Sequence, residues 1–280
     1  MEENKVKDVL LSQGFKFKKQ FGQNFITDTN LLASIVEGAG ADKDTTVVEI
    51  GCGAGTLTRA IAERAKNVTA FEIDRDLEPV LAVTLAGVDN AEVIFRDFSK
   101  VDMASFERDM PPYIVIANLP YYITTPLVMK FIEQSEKCRS LTVMVQEEVA
   151  ERFCAAAGTP EYGAVTANIA LRGVCKIIRR VPRTLFHPTP NVDSAVVRID
   201  IIEGNVKVND GAMYKKVVRA AFASRRKTLE NNLMQTFGIK RDEARAALEN
   251  CGIHALARGE ELSPAQFATL ADYFSSRGIK

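Results

Sequence analysis

The sequence predicts an α/β fold, a parallel sheet with helices on both faces, followed by a small all-helical domain. Three observations carry this. Between residues 46 and 145, short apolar runs rich in β-branched residues alternate with stretches of helical spacing. A glycine-rich turn separates the first such run from the first such helix. Beyond Glu203-Gly204-Asn205 the apolar period becomes helical and stays so.

In chain order, Val47-Val48-Glu49-Ile50 is a first strand that ends in Gly51-Cys52-Gly53-Ala54-Gly55. Leu57, Ile61 and Ala65 then recur at helical spacing behind Thr56. Residues 68–73 read as a second strand, 77–85 as a helix, and 92–95 and 113–117 as the third and fourth strands. A helix over 124–132 precedes a fifth strand over 141–145. Residues 174–180 and 195–201 read as two more strands, parted by a turn-rich stretch around Pro188 and Pro190 and able to close the sheet as a hairpin-like edge. In the last part, Met213, Val217, Val218, Ala221 and Phe222 share one helical face, as do Leu229, Leu233, Met234 and Phe237. Ser263 is an N-cap with Pro264 at the first helical position, ahead of Phe267, Leu270 and Phe274. The expected division is 1–204 for the α/β domain and 205–280 for the helical one.

Composition narrows the function classes. Of 280 residues, 46% are apolar and 26% charged, the balance of a globular chain. Thirty-six basic and thirty-six acidic residues cancel, which argues against a protein held to nucleic acid by bulk charge. No apolar run approaches the roughly 18 residues of a membrane helix. The first residues mix Glu2, Glu3 and Asp8 with lysines and lack a signal-peptide core. Five cysteines without a Cys-x-x-Cys pair read as reduced thiols, and His187 and His254 alone are a poor basis for a zinc site. The expectation is a cytoplasmic protein with no metal and no membrane partner.

Gly51, Gly53 and Gly55 allow a ligand to approach the backbone at the carboxyl edge of the sheet. Their Gly-x-Gly-x-Gly spacing departs from the dinucleotide fingerprint, although dinucleotide folds also place glycines here. Glu72, at the end of the second strand, can accept both hydroxyls of a ribose. Asp97, past the third strand, can accept an adenine amine, and Phe98 can pack on the ring. An isolated acid at a strand end is commonly a solvated cap. Three such features at successive strand ends point to a nucleoside cofactor.

The fourth strand ends in Asn118-Leu119-Pro120-Tyr121. This tetrapeptide resembles the catalytic motif of amino-methyltransferases that use S-adenosylmethionine. The exocyclic nitrogen of adenine is a poor nucleophile because its lone pair is delocalised into the ring. The Asn118 side-chain oxygen and the Leu119 carbonyl can accept the amine's hydrogens and favour a pyramidal nitrogen. Pro120 fixes the turn, and Tyr121 supplies a face for an extruded base. The bland alternative is an Asn-x-Pro turn followed by a core tyrosine.

The whole chain resembles the bacterial small-subunit (16S) ribosomal RNA adenine dimethyltransferases. Besides the glycine loop and Asn-Leu-Pro-Tyr, it carries Phe21-Gly22-Gln23-Asn24-Phe25-Ile26, the stretch from Phe186-His187-Pro188 to Asp193-Ser194, and Arg225-Arg226-Lys227-Thr228-Leu229. The resemblance implies a Rossmann-like class I methyltransferase sheet with S-adenosylmethionine as cofactor and S-adenosylhomocysteine as product. It implies Asn24 and Ile26 at the cofactor's methionine end, Asn118 touching both cofactor and target, and Phe186 opposite Tyr121 across the target base. It further implies two adjacent adenosines as substrate in an immature small ribosomal subunit, a docking role for the helical domain, and a monomer. The rivals are the large-subunit (23S) adenine methyltransferase of the antibiotic-resistance type and an assembly factor without activity. A nicotinamide dehydrogenase would leave Asn118 unexplained.

Basic residues cluster although the total is neutral. Arg172, Lys176, Arg179, Arg180 and Arg183 fall in one acid-free run, and Lys215, Lys216, Arg219, Arg225, Arg226 and Lys227 in another. Lys16, Lys18 and Lys19 precede Gln23-Asn24. A charge run is often only a solvated face, but Arg179, Arg180, Arg183, Arg225, Arg226 and Lys227 are the candidate RNA contacts.

Overall fold

The computed structural model describes residues 3–15, 18, 24–26 and 28–279. Two compact units share the chain, Met1–Ala150 with Lys176–Ile201 and Glu151–Cys175 with Ile202–Lys280.

The first unit is built on strands β1 (Phe25–Ile26), β2 (Thr46–Ile50), β3 (Asn67–Glu72), β4 (Ala91–Phe95), β5 (Tyr113–Asn118), β6 (Cys138–Gln146), β7 (Gly173–Val181), β8 (Phe186–His187) and β9 (Ser194–Ile201). Seven of them form one sheet in the order β4-β3-β2-β5-β6-β9-β7, and these are the seven strands read from the sequence. β2, β3, β4, β5 and β6 run parallel to one another. β9 is antiparallel to β6, with Ser140 opposite Asp200 and Gln146 opposite Ser194. The sheet is therefore mixed and not all parallel. β2 carries no exposed residue, as a central strand covered on both faces requires.

Local chemistry sets the flanking helices. Asp28 accepts from Leu31 N–H at 2.7 Å and caps the helix Thr29–Gly38, an element the sequence pattern did not reveal. Leu31, Ile35 and Val36 of that helix pack with Val47 of β2 and with Leu57 and Ile61 of the helix Thr56–Ala62. A separate cluster joins Val6 and Leu10 to Ala70, Leu77, Val80 and Leu81.

The second unit holds the helices Ala164–Arg172, Gly211–Ala221, Leu229–Phe237, Arg241–Asn250 and Pro264–Ser276. Ser263 caps the last of these, accepting from Gln266 N–H with Pro264 in the first turn. Tyr214, Val217, Leu233, Phe267, Leu270 and Phe274 are fully buried in its core. Tyr162, Ala167 and Leu171 join the same core, and Tyr214 donates its hydroxyl hydrogen to the Ala167 carbonyl at 2.8 Å. The units thus divide the chain differently from a single boundary at 204/205. Residues 151–175, the last three of which begin β7, fall with the helical unit, where Tyr162, Ala167 and Leu171 are buried among helices that follow far later in sequence. Among the described residues no helix is long and apolar enough to cross a membrane.

Candidate active site

The chain proceeds from β2 to β3 and β4 on one side of the sheet, then to β5 and β6 on the other. Connections leaving β2 and β5 therefore diverge, and a crevice opens at their carboxyl ends. A cavity of about 280 Å³ occupies it. Gly51, Gly53, Glu72, Asp97 and Phe98 line one part, and Asn118, Leu119, Pro120, Tyr121 and Phe186 another, with Asn24 and Ile26 also on its wall. Every expected cofactor and catalytic residue except Gly55 lines this one cavity. Phe21, Gly22 and Gln23, and Lys16 and Lys19, lie outside the described residues.

Gly51 (φ 73°) and Gly53 (φ 55°) sit in the left-handed region. A Cβ on Gly53 would lie 2.7 Å from Phe25 Cε1, so the loop needs a residue without a side chain there. Gly55 (φ 78°) does not line the cavity. Its Cβ would meet Leu81 Cδ2 and Thr84 Oγ1 at 3.0 Å, so it serves helix packing and does not reach the cavity.

Glu72 organises the loop. Its Oε2 accepts from Gly53 N–H at 2.8 Å, and its Oε1 accepts from Ile73 and Asp74 N–H at 2.8 and 2.9 Å. Burial raises its pKa, and those three backbone donors oppose the rise. Lys18 reaches the same loop, with Nζ 2.6 Å from both Asp74 Oδ1 and Asp76 Oδ2. That places Lys18 at the loop beside Glu72, engaged by two carboxylates.

Glu49 also lines the cavity, a residue outside the motifs that mark the site in the sequence. It is fully buried, and among the described residues neither carboxylate oxygen makes a well-formed hydrogen bond, the nearby Thr58 hydroxyl only partly opposing the effect of burial. A carboxylate in the middle of an otherwise apolar central strand was the available signal. Burial, helped by the charge of Glu72, pushes its pKa up to about 8. Between its ordinary value of 4.5 and 8, the folded chain keeps a proton that the unfolded chain releases. Stability should therefore fall as pH rises through that window, by up to about 1.4 kcal/mol per unit. Melting temperatures of the cofactor-free protein measured from pH 5 to 8 should show this slope, and Glu49→Gln should flatten it.

Asp97 begins a single 3₁₀ turn, and its Oδ1 accepts from Ser99 Oγ at 2.6 Å and Ser99 N–H at 2.9 Å. The Ser99 hydroxyl is the main cause of its lowered pKa, so it stays ionised. Phe98 is only 3% exposed. Its ring lies 4.8, 5.6 and 5.3 Å from those of Phe71, Phe106 and Phe131, so it is a wall fixed by an aromatic cluster and offers no open stacking face.

Asn118 Nδ2 donates to the Asn24 carbonyl at 3.1 Å. This bond fixes the amide orientation and leaves Oδ1 as its acceptor. Pro120 (φ −55°, ψ 133°) ends the strand and delivers Tyr121 as the first residue of the helix Tyr121–Gln134. The Tyr121 hydroxyl lies 2.9 Å from Ser194 Oγ, and burial raises the phenol pKa, keeping it neutral. Ser194 is fully buried at the start of β9, and only its place in the stretch from Phe186 to Ser194 marks it in the sequence. Phe186, 4% exposed, belongs to β8, which pairs antiparallel with β1 so that Ile26 stands opposite Phe186 and Phe25 opposite His187. This two-residue ladder brings two distant motifs to one cavity wall, and Thr56 Oγ1 secures it by donating to the Ile26 carbonyl at 2.9 Å. Among the described residues no cluster of His, Cys, Asp and Glu side chains is arranged to hold a metal ion.

The candidate RNA contacts are exposed, but most are engaged within the chain. Arg179 donates to Ser34 Oγ at 2.7 Å, Arg180 pairs with Glu147, and Arg183 donates to the Asn191 carbonyl at 3.0 Å. Arg225 donates to the Pro160 carbonyl at 2.7 Å, and Lys227 to Gln235 Oε1 at 3.0 Å. Arg226 is exposed and makes no side-chain hydrogen bond or ion pair among the described residues.

A largely parallel sheet with this strand order, an antiparallel strand β9 beside β6, and a crevice at the switch point lined by Gly51, Glu72, Asp97 and Asn118 define a class I methyltransferase domain. The chain belongs to the ribosomal RNA adenine dimethylase family, whose model matches residues 14–276. It is 44% identical over 276 residues to Ribosomal RNA small subunit methyltransferase A of Geobacillus thermodenitrificans, covering 96% of this chain and 94% of the relative. With the protein of the same description from Streptococcus pneumoniae it shares 46% identity over 281 residues, 98% and 97% of the two chains. Among solved structures, a dimethyladenosine transferase from Plasmodium falciparum superposes with a TM-score of 0.79 at 25% identity, covering 91% of this chain and 98% of the other. The 23S rRNA methyltransferase ErmE superposes with a TM-score of 0.69 at 29% identity, covering 90% and 100%.

Proposed function

We propose that this chain transfers methyl groups from S-adenosylmethionine to the N6 amines of two adjacent adenosines in a 3′-terminal hairpin loop of small-subunit (16S) ribosomal RNA. The products are N6,N6-dimethyladenosines, and the substrate is the immature small subunit, met in the cytoplasm by a monomeric enzyme. The observation that carries this is Asn118, whose amide is locked by the Asn24 carbonyl so that Oδ1 serves as an acceptor on the cavity wall.

The cavity fits the cofactor. Gly53 keeps its wall open where a Cβ would clash, and Glu49 presents two buried carboxylate oxygens that make no well-formed hydrogen bond among the described residues. A cation at Glu49 repays the cost of ionising it, which suits a ligand bearing an ammonium and a sulfonium. Glu72 would accept from the ribose and Asp97 from the adenine amine, with Asn24 and Ile26 at the methionine end. When bound, S-adenosylmethionine supplies an electrophilic methyl group on a sulfonium sulfur.

Tyr121 offers a face to the target base, its hydroxyl held by Ser194, while Phe186 backs the other side of the pocket. Asn118 Oδ1 and the Leu119 carbonyl accept the two amine hydrogens and draw the nitrogen out of conjugation. No side chain is needed as a base, because the methylated nitrogen is a strong acid until it sheds its proton to water. A monomethylated amine still offers one hydrogen to these acceptors. A dimethylated amine offers none, so the reaction stops there. The helical unit helps dock the particle, with Arg226 as the cation best placed to meet phosphate. Ser194→Ala should loosen Tyr121 and raise the KM for RNA several-fold, with kcat changed less and the melting temperature nearly unchanged.

The likeness to ErmE favours a second reading, methylation of large-subunit RNA. Labelled methyl transfer to undermethylated small and large ribosomal subunits separates the two. Label in small-subunit RNA is expected. Label confined to large-subunit RNA would establish the second reading, and none in either RNA would leave an assembly factor.

A further inference from the structure

Residues 151–175 leave the sheet unit, contribute to the core of the helical unit, and return at β7. A cysteine stands near each end of this excursion. Cys154 follows the helix Glu147–Phe153, and Cys175 is the third residue of β7, the edge strand of the sheet. Their sulfurs are 2.8 Å apart, and both residues are partly exposed. The methyl-transfer chemistry uses neither, and neither lines the cavity.

We propose that Cys154 and Cys175 form a reversible disulfide on exposure to a hydroperoxide, closing the excursion at its base. The paired sulfurs need only a small approach to bond, and the partial exposure of both gives a small oxidant access. The hydrogen bond from the Cys175 thiol lowers the Cys154 pKa, which makes Cys154 the attacking sulfur. In the first step the Cys154 thiolate attacks the terminal peroxide oxygen. An S–O bond forms, the O–O bond breaks, and the leaving alkoxide or hydroxide takes up a proton, giving a sulfenic acid. In the second step the Cys175 sulfur attacks the Cys154 sulfur. The S–S bond forms, the S–O bond breaks, and the departing hydroxide leaves as water with the Cys175 proton. Two thiols are oxidised by two electrons in all, and one peroxide is reduced. An external dithiol reverses the change by exchange.

The reduced full-length protein, treated with a modest excess of hydrogen peroxide and then denatured, should lose two of its five thiols and recover both with dithiothreitol. Peptide mapping should place the link between Cys154 and Cys175. Cys175→Ser, or Cys175→Ala if the serine variant folds poorly, should stop at a sulfenic acid on Cys154 that dimedone labels. No loss of thiols, a link at any other pair, or a Cys154→Ser protein that still loses two thiols would overturn the proposal.

Discussion

Asn118→Ala should lower the rate of methyl transfer by about a hundredfold or more, the usual effect of removing one preorganised hydrogen-bonding group aimed at a transition state. Cofactor affinity should change by less than about threefold, because the proposed ribose and adenine acceptors, Glu72 and Asp97, lie elsewhere on the cavity wall. The substitution removes both functions of the side chain. It deletes the proposed acceptor for the amine hydrogen, and it releases the Asn24 carbonyl that Nδ2 now holds at 3.1 Å. Asn118→Asp separates the two, since a carboxylate keeps an acceptor but places negative charge against that carbonyl. It should retain more activity than alanine and less than the parent. Single-turnover transfer under saturating cofactor, with calorimetric titration of S-adenosylmethionine, checks both parts. Equal collapse of affinity and rate would make Asn118 a cofactor anchor and remove its orienting role.

The second large effect is expected at Glu72. Its carboxylate holds the N–H groups of Gly53, Ile73 and Asp74, and so couples the glycine loop to the turn after β3. Glu72→Ala strands three donors at a site only 6% exposed and removes the proposed ribose acceptor. Leaving a buried polar group unpaired costs about 1–3 kcal/mol each before relaxation and water entry reduce it. Cofactor affinity should fall by about two orders of magnitude and the melting temperature by several degrees. Glu72→Gln keeps the shape and one acceptor oxygen, so it should melt closer to the parent while still binding cofactor weakly. Titration calorimetry and thermal melts of the two variants side by side distinguish a scaffold role from a ligand role. If both variants bind cofactor as the parent does, Glu72 is scaffold alone.

Much of this site was legible before any coordinates. Strand ends are marked in sequence by the passage from β-branched runs to Gly, Asp or Asn. A parallel sheet then gathers successive strand ends onto one edge, which is why Gly51, Glu72, Asp97 and Asn118 meet in one cavity. What stayed hidden depends on tertiary pairing. The β1–β8 ladder has two residues per strand, too few for any periodicity, so nothing in the pattern linked Ile26 to Phe186. Gly55 shares its spacing with Gly51 and Gly53, yet its Cβ direction faces Leu81 and Thr84. Charge runs do not reveal their own partners, so the engagement of Arg183 by Asn191 and of Arg225 by Pro160 was invisible. The helix Ala164–Arg172 belongs with residues some fifty positions later because Tyr214 and Ala167 meet in the core, a contact without local signal.

The central claim is that the cavity presents the exocyclic amine of adenine, and no other atom, as the nucleophile. Nucleoside digestion of undermethylated small-subunit RNA after reaction with labelled S-adenosylmethionine tests it most directly. N6-methyladenosine should appear early and N6,N6-dimethyladenosine should accumulate as the end product, with Asn118→Ala suppressing both. Label on a ring carbon, on a ribose hydroxyl or on another base would contradict it.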